Sequence, residues 1–234
     1  MANVEHLERL RGALQEGSVE GWNRWREENP DLPAPIDLSV SDLAGFELSG
    51  ANLSGVNLGQ TNLVGASLVG ANLTGATLWQ ASLIDADLLG ANLTEADLLG
   101  ANLTSADLSH GRLCRANLWG ANLSEANLSH ADLSAANLSK AVLVHTDLRN
   151  ARLAGCRVYG ASVWDVQLEG AFQERLIISA EEEIFEDQET VITVDNIETA
   201  QFIYLALNNP RIRATIDSIT PNETLLHLLS ERPE

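Results

Sequence analysis

Cysteine is nearly absent, with only Cys114 and Cys156 in 234 residues. That is too few for a disulfide-stapled fold and fits a reducing compartment. Basic residues are scarce as well. Fourteen Lys and Arg stand against 33 Asp and Glu, a formal net charge of −19, and so acidic a chain repels a phosphate backbone, which argues against a nucleic-acid partner. No apolar run approaches the roughly 20 residues that cross a bilayer, so no membrane partner is expected. The first ten residues carry Glu5, Glu8 and Arg9 where the apolar stretch of a secretion signal would lie, and a cytoplasmic chain is expected. Chemical motifs are missing too: there is no phosphate-cradling glycine loop, no nucleophile elbow and no Cys/His metal spacing. No catalytic, cofactor-binding or metal-binding residue can be named, and no enzyme is expected.

What the chain does have is a period of five. Every position from 38 to 168 whose number ends in 3 or 8 is apolar, and all are Leu except Val158 and Val163. Five fits neither the 3.6 residues of a helical turn nor the two of a strand, so the chain must turn once per unit. With each unit as one side of a square coil, 20 residues close a turn, and the residues at Leu and at Leu minus 2 point inward. Leu minus 2 is mostly Ala (Ala51, Ala66, Ala71), small enough to share a narrow core with Leu. Gly recurs two residues after Leu, as at Gly45, Gly50 and Gly55, where a type II turn needs a positive φ. Units with Gln80, Glu95, His110, Arg115, Glu125 or Lys140 there are expected to use other turn types. Asn, Asp, Ser and Thr before and after the Leu should hydrogen-bond nearby backbone.

The units Ala51-Asn52-Leu53-Ser54-Gly55 and Ala71-Asn72-Leu73-Thr74-Gly75 resemble the pentapeptide-repeat proteins. The resemblance implies an all-β solenoid, a right-handed quadrilateral β-helix, over residues 36–170, with helical caps at the N-terminal (1–35) and C-terminal (171–234) ends. The family includes DNA-mimicking gyrase binders and scaffolds. Gly21-Trp22-Asn23-Arg24-Trp25-Arg26 is similar to a segment of cyanobacterial members. The run Val191 to Tyr204 resembles a segment that, in some of them, leads into a TIR-like signalling domain, which would start where this chain stops. On that resemblance the chain is either a short relative or a portion of a TIR-containing, NAD-hydrolysing protein.

Outside the repeat, Leu7, Leu10 and Leu14 predict a helix up to Gly17. Ser18 is placed to N-cap a second, carrying Trp22 and Trp25 and ending near Asn29 and Pro30. The two Trp are expected to plug the open end of the leucine column. After Gly170, strands are expected at Leu176 to Ile178 and Thr190 to Val194, separated by an acidic loop over 181–189. Asp195 with Glu198 reads as a capping box for a helix to Asn208. Further helices are expected from Arg211 to Ile219 and, behind the capping box Thr220 to Glu223, around Leu225 to Leu229.

Folding the repeat by twenties places surface residues in columns. Glu47, Asp87, Asp107 and Asp147 share one, whereas Arg112, Asp132 and Arg152 share another and read as an alternating salt-bridge ladder that a DNA mimic would not want. His110 and His130 should stack about 5 Å apart; as exposed corner residues they are not taken as metal ligands. Gly59, Trp79, Leu99, Trp119, Ser139 and Tyr159 form an outward column, with Ile84 and Leu89 on the next two sides. An apolar stripe among Ser and Thr marks a candidate interface for a partner protein or for a second copy of the chain, unless the C-terminal segment covers it. The expected function is a non-enzymatic protein-interaction scaffold, alternatively the sensor or spacer part of a signalling protein; inhibition of gyrase by DNA mimicry is the competing reading.

Overall fold

The computed structural model describes residues 3–15, 17–30, 35–179 and 192–212. From Asp37 onward, residue n bridges residue n plus 20 in parallel. On one side Asp37 meets Asn57, Thr77 follows, then Asp97, Asn117, Asn137, Arg157 and Ile177. The same step holds on three further sides, so four five-residue sides make one turn of the coil. Below, side one carries Leu58, Leu78 and Leu98, side two Leu63 and Leu83, side three Leu68 and Leu88, and side four Leu73 and Leu93.

One unit shows why the motif reads Ala-Asn-Leu. The Ala71 amide closes a turn onto the Leu68 carbonyl at 2.9 Å, Asn72 donates to Ala51 of the coil before at 2.9 Å, and Leu73 and Gly75 donate to Asn92 and Thr94 of the coil after at 2.7 and 2.9 Å. That leaves the Thr74 amide, which donates to the Asn72 Oδ1 at 3.2 Å. All five N–H groups are satisfied, one of them by the side chain of Asn or Asp, as buried backbone requires. The same closure recurs at Ser124 with Asn122 and at Ser134 with Asp132.

At the corners Gln80, Glu95, His110, Arg115, Glu125 and Lys140 have φ values between 53° and 61°, in the same left-handed region as Gly75 at 62°. The reason is the ladder: the corner amide must reach the next coil in every unit, and that fixes the corner conformation whatever side chain stands there.

Inside, the Leu at every position ending in 3 or 8, from Leu38 to Leu153, is fully buried. A few polar groups share this core. The hydroxyls of Ser41 and Thr61 donate to the Leu38 carbonyl at 2.6 and 3.0 Å, and Thr146 donates to that of Leu123 at 2.8 Å, so each buried hydroxyl is paired. Two parallel segments are regular enough to be strands, β1 (Val142–Val144) and β2 (Ser162–Trp164).

At the N-terminal end, helices α1 (Val4–Gln15) and α2 (Glu20–Glu28) bond to the first coil. A preceding coil would donate amides from positions 33 and 35 to the carbonyls of Asn52 and Ser54, but both positions are Pro and have no N–H. Trp22 Nε1 donates to Asn52 O at 2.9 Å instead, and an Arg26 guanidinium nitrogen donates to Ser54 O at 2.7 Å. The Asn52 amide donates to Asn23 Oδ1 at 2.8 Å. Trp22 has no exposed surface, and Trp25 is half-buried with its ring centroid 5.3 Å from that of Trp22. Val19, not Ser18, stands at the start of α2; Ser18 Oγ only accepts from the Glu20 amide at 3.3 Å.

At the other end the ladder runs past Gly170, through Phe172 to Ile177. The side 171–175 was hidden in the sequence because Gln173 stands where Leu belongs. Strand β3 (Leu176–Ile177) pairs antiparallel with β4 (Thr193–Val194), which leads into α3 (Ile197–Asn208). Asn196, not Asp195, caps α3, accepting from the Thr199 amide at 2.8 Å, because Asp195 already accepts from the Arg175 amide at 2.8 Å. Buried Gln201 accepts from the Val163 amide at 2.9 Å, and Gln173 accepts from that of Ile197 at 2.9 Å. The expected acidic loop, most of the Arg211 to Ile219 helix, and the capping box and helix from Thr220 to Leu229 lie outside the described residues.

Candidate functional site

Side one carries the outward column found in the sequence. Trp79 and Leu99 are 36% and 37% exposed, and Trp119 between them and Ser139 is half-buried. Trp79 lies against Gly59: a Cβ placed on Gly59 would come within 2.3 Å of the indole nitrogen, so only glycine allows this packing. The Lys140 ammonium stands 5.0 Å from the Trp119 ring centre, a cation–π contact. Tyr159 is covered in part, since Tyr204 of α3 packs edge-on against it with ring centres 5.0 Å apart. Ile84 stands half-buried on side two and Leu89, 39% exposed, on side three. The structure therefore brings Trp79, Leu99, Trp119 and Tyr159 onto one side and leaves Ile84 and Leu89 off it.

The rim of side one was not read from the sequence. Its entry corners hold Gly75, Glu95, Arg115 and Ala135, and Arg115 donates to Glu95 Oε1 at 2.5 Å across adjacent coils. The twenty-residue spacing of these two residues was the available signal. The exit corners hold Gln80, Gly100, Gly120 and Lys140.

The other charged columns are paired locally. Asp147 takes a two-point contact from Arg149, with nitrogens at 3.0 and 2.6 Å, and its pKa lies below the ordinary carboxylate value chiefly for that reason. The Arg112, Asp132 and Arg152 ladder does not close: among the described residues no ion pair joins them within 4.0 Å. Asp132 is engaged in its own unit, accepting from the Ser134 amide at 3.0 Å and hydroxyl at 2.6 Å, while Arg152 lies 5.1 Å over Phe172. His110 and His130 stack with ring centres 4.8 Å apart and planes within 1°. Among the described residues no His, Cys, Asp and Glu cluster is arranged to hold a metal. Cys156 faces inward, its pKa pushed up to about 12 by burial, whereas Cys114 is half-buried. A cavity of about 440 Å³ opens between Leu14 of α1 and Phe46 beneath it. No described helix is long and apolar enough to cross a membrane.

A coil of bridged five-residue sides, with Asn or Asp closing many of its units and Leu filling it, defines a class of repeat protein. The chain belongs to the Pentapeptide repeats family, matching it in 8 copies within residues 41–171, more than half of its length. Among solved structures it is similar to HetL, a pentapeptide repeat protein involved in heterocyst differentiation regulation in the cyanobacterium Nostoc, at 27% identity over 60% of this chain and 87% of that one, with a TM-score of 0.37. A pentapeptide repeat protein of the Arabidopsis thaliana thylakoid lumen is 36% identical over 41% of this chain and 66% of its own, with a TM-score of 0.40. QnrB1, a plasmid-mediated fluoroquinolone resistance protein, is 23% identical over 59% of this chain and 74% of its own, with a TM-score of 0.36. With every TM-score this low, none of these likenesses carries a function across. No curated protein matches the chain.

Proposed function

We propose that the chain is a non-enzymatic protein-interaction scaffold: a right-handed β-helix, closed at both ends by its helices, that offers side one as a docking face. The observation that carries this reading is the exposure of Trp79 and Leu99 on adjacent coils beside Trp119, at outward positions that hold Ser or Thr in many other units. Adjacent coils lie about 4.8 Å apart, so the three side chains form one patch within about 10 Å. Replacing both Trp79 and Trp119 by Ser tests it. The variant should keep its folded circular dichroism and lose association with its protein partner or with a second copy. A large drop in melting temperature in an already monomeric protein would show that the stripe is packing instead, and unchanged stability and association would sink the reading. The two-point pairing of Asp147 with Arg149, and the Arg112 and Arg152 side chains on side four, favour this function over DNA mimicry by an acidic face. A gyrase supercoiling assay unaffected by the protein is expected. For a sensor or spacer role ahead of a TIR-like domain, the support is the resemblance of residues 191–204, and the open reading frame beyond Glu234 tests it.

A further inference from the structure

The rim of side one indicates which partner fits it. Glu95 and Arg115 stand at the same corner of successive coils, more than half exposed, beside Leu99 and Trp119 respectively. Now place a second copy face to face with side one, related by a two-fold axis that lies along the strand direction. That operation keeps each corner on its own edge and reverses the order of coils. With the axis midway between the coils of Leu99 and Trp119, Leu99 meets the partner's Trp119 and Trp119 meets the partner's Leu99. Trp79 then falls level with the partner's Ser139, large against small. On the rim, Glu95 falls beside the partner's Arg115 and Arg115 beside the partner's Glu95, so one intrachain pair becomes a four-charge cluster of alternating sign. Across the other edge Gln80 meets the partner's Lys140, and Gly100 meets Gly120, which allows close approach. Centring the axis on Leu99 instead sets Glu95 against itself, and running it along the coil axis sets both charges against glycine corners.

We infer that this protein forms an antiparallel homodimer through side one, held by the Leu99 and Trp119 contact and registered by reciprocal Glu95 and Arg115 pairs. Such an interface is isologous, each copy using the same surface, as closed two-fold symmetry demands. Alternating charges at its edge fix register and exclude wrong pairings. The inference rests on side one being a docking face, and it adds the identity of the occupant.

Charge exchange tests it. The wild-type chain should sediment as a dimer. Glu95→Arg and Arg115→Glu each set like charges together in two places, and each variant alone should be monomeric, its dimer weakened by a factor on the order of a hundred. Mixed in equal amounts, the two variants should form a heterodimer, visible by native mass spectrometry when one carries a mass tag. The double exchange in a single chain should restore the homodimer. Leu99→Glu should also abolish it, with the circular dichroism unchanged. A wild-type chain that stays monomeric at high concentration overturns the inference, and if Trp79→Ser with Trp119→Ser then still abolishes binding of another protein, the docking face itself stands. A dimer that survives Glu95→Arg, or single variants that fail to combine, would place the interface or the register elsewhere and overturn it equally.

Discussion

The middle of the coil and its two ends solve the same problem with different material. Between Asn57 and Arg157 the backbone bonds to its own next turn, n to n plus 20, and residue identity matters for what fits inside and for the Asn or Asp that closes a unit. At the ends no further turn stands among the described residues, and side chains take over: Trp22, Asn23 and Arg26 bond to Asn52 and Ser54 at one end, and Gln201 bonds to Val163 at the other. A stacked coil is built from nearest-neighbour contacts, so each unit is supported by the coils on both sides. The middle should thus be sensitive chiefly to volume and charge inside the coil and indifferent to most outer side chains, whereas the ends should be sensitive to single polar atoms.

The sharpest way to break the middle is Leu103→Asp, at a position with no exposed surface. A buried carboxylate without a partner costs several kcal/mol, about 5 or more, and the variant should lose its cooperative melt. A melting temperature equal to the parent's would refute the inward placement of these leucines. At the N-terminal end, Trp22→Ala should cost about 3–5 kcal/mol, by the usual scale for buried aromatics. Trp22→Phe keeps most of the packing and leaves the Asn52 carbonyl without its indole donor, for about 1–2 kcal/mol. Urea titration of the pair separates packing from the hydrogen bond. At the other end, Gln201→Ala should cost about 1–2 kcal/mol and speed amide exchange at Val163, with the central coils unchanged.

A smaller effect sharpens the contrast by testing backbone alone. Ala135 sits at a corner with φ of 60°, a conformation that costs an L-residue about 1 kcal/mol or more. Ala135→Gly should therefore raise stability by about 0.5 kcal/mol after the added freedom of glycine in the unfolded chain is counted. Gly75→Ala, where a Cβ meets nothing within 4 Å, should lower it by a similar amount. Thermal melts of the two variants moving in the same direction would contradict the shared corner geometry.

The smallest expected effect is with pH. Partial burial pushes the Asp132 carboxyl up, but hydrogen bonds from Ser134 and Cys114 and the nearby Arg152 outweigh it, and the pKa is lowered. A carboxylate whose folded pKa is depressed stabilises the fold fully above its unfolded pKa, near 4, and that stability is lost as pH falls through the folded value. Melting temperature should thus decline below about pH 4. Asp132→Asn keeps the Oδ1 that accepts from Ser134, as Asn122 does for Ser124, but carries no charge, so it should melt slightly below the parent at neutral pH and decline less in acid.

Much of this was legible in the residues. The Leu period gave the four-sided coil because only a chain turning every five residues keeps each Leu inside, and the same arithmetic put His110 over His130 and Trp79 on the side of Leu99 and Trp119. The capping residues were legible only to within one position: Val19 stands where Ser18 was expected, and Asn196 where Asp195 was, the latter because Asp195 already accepts from the Arg175 amide. The last side was missed because Gln173 breaks the apolar period in order to accept from Ile197, a partner 24 residues away.

By itself, then, the sequence determined everything that repeats: the twenty-residue turn, the dry Leu and Ala interior, and the columns of outer side chains, because a strict period leaves one geometry that buries all the leucines. Only the tertiary structure decided what does not repeat. It imposed one corner conformation on Gln80, Glu95 and Lys140 through the ladder on either side, turned Asp132 toward Ser134 instead of Arg112 or Arg152, and laid Tyr204 on Tyr159. Each of these choices is a competition between a local preference and a partner distant in the chain, and spacing along a sequence cannot weigh the two.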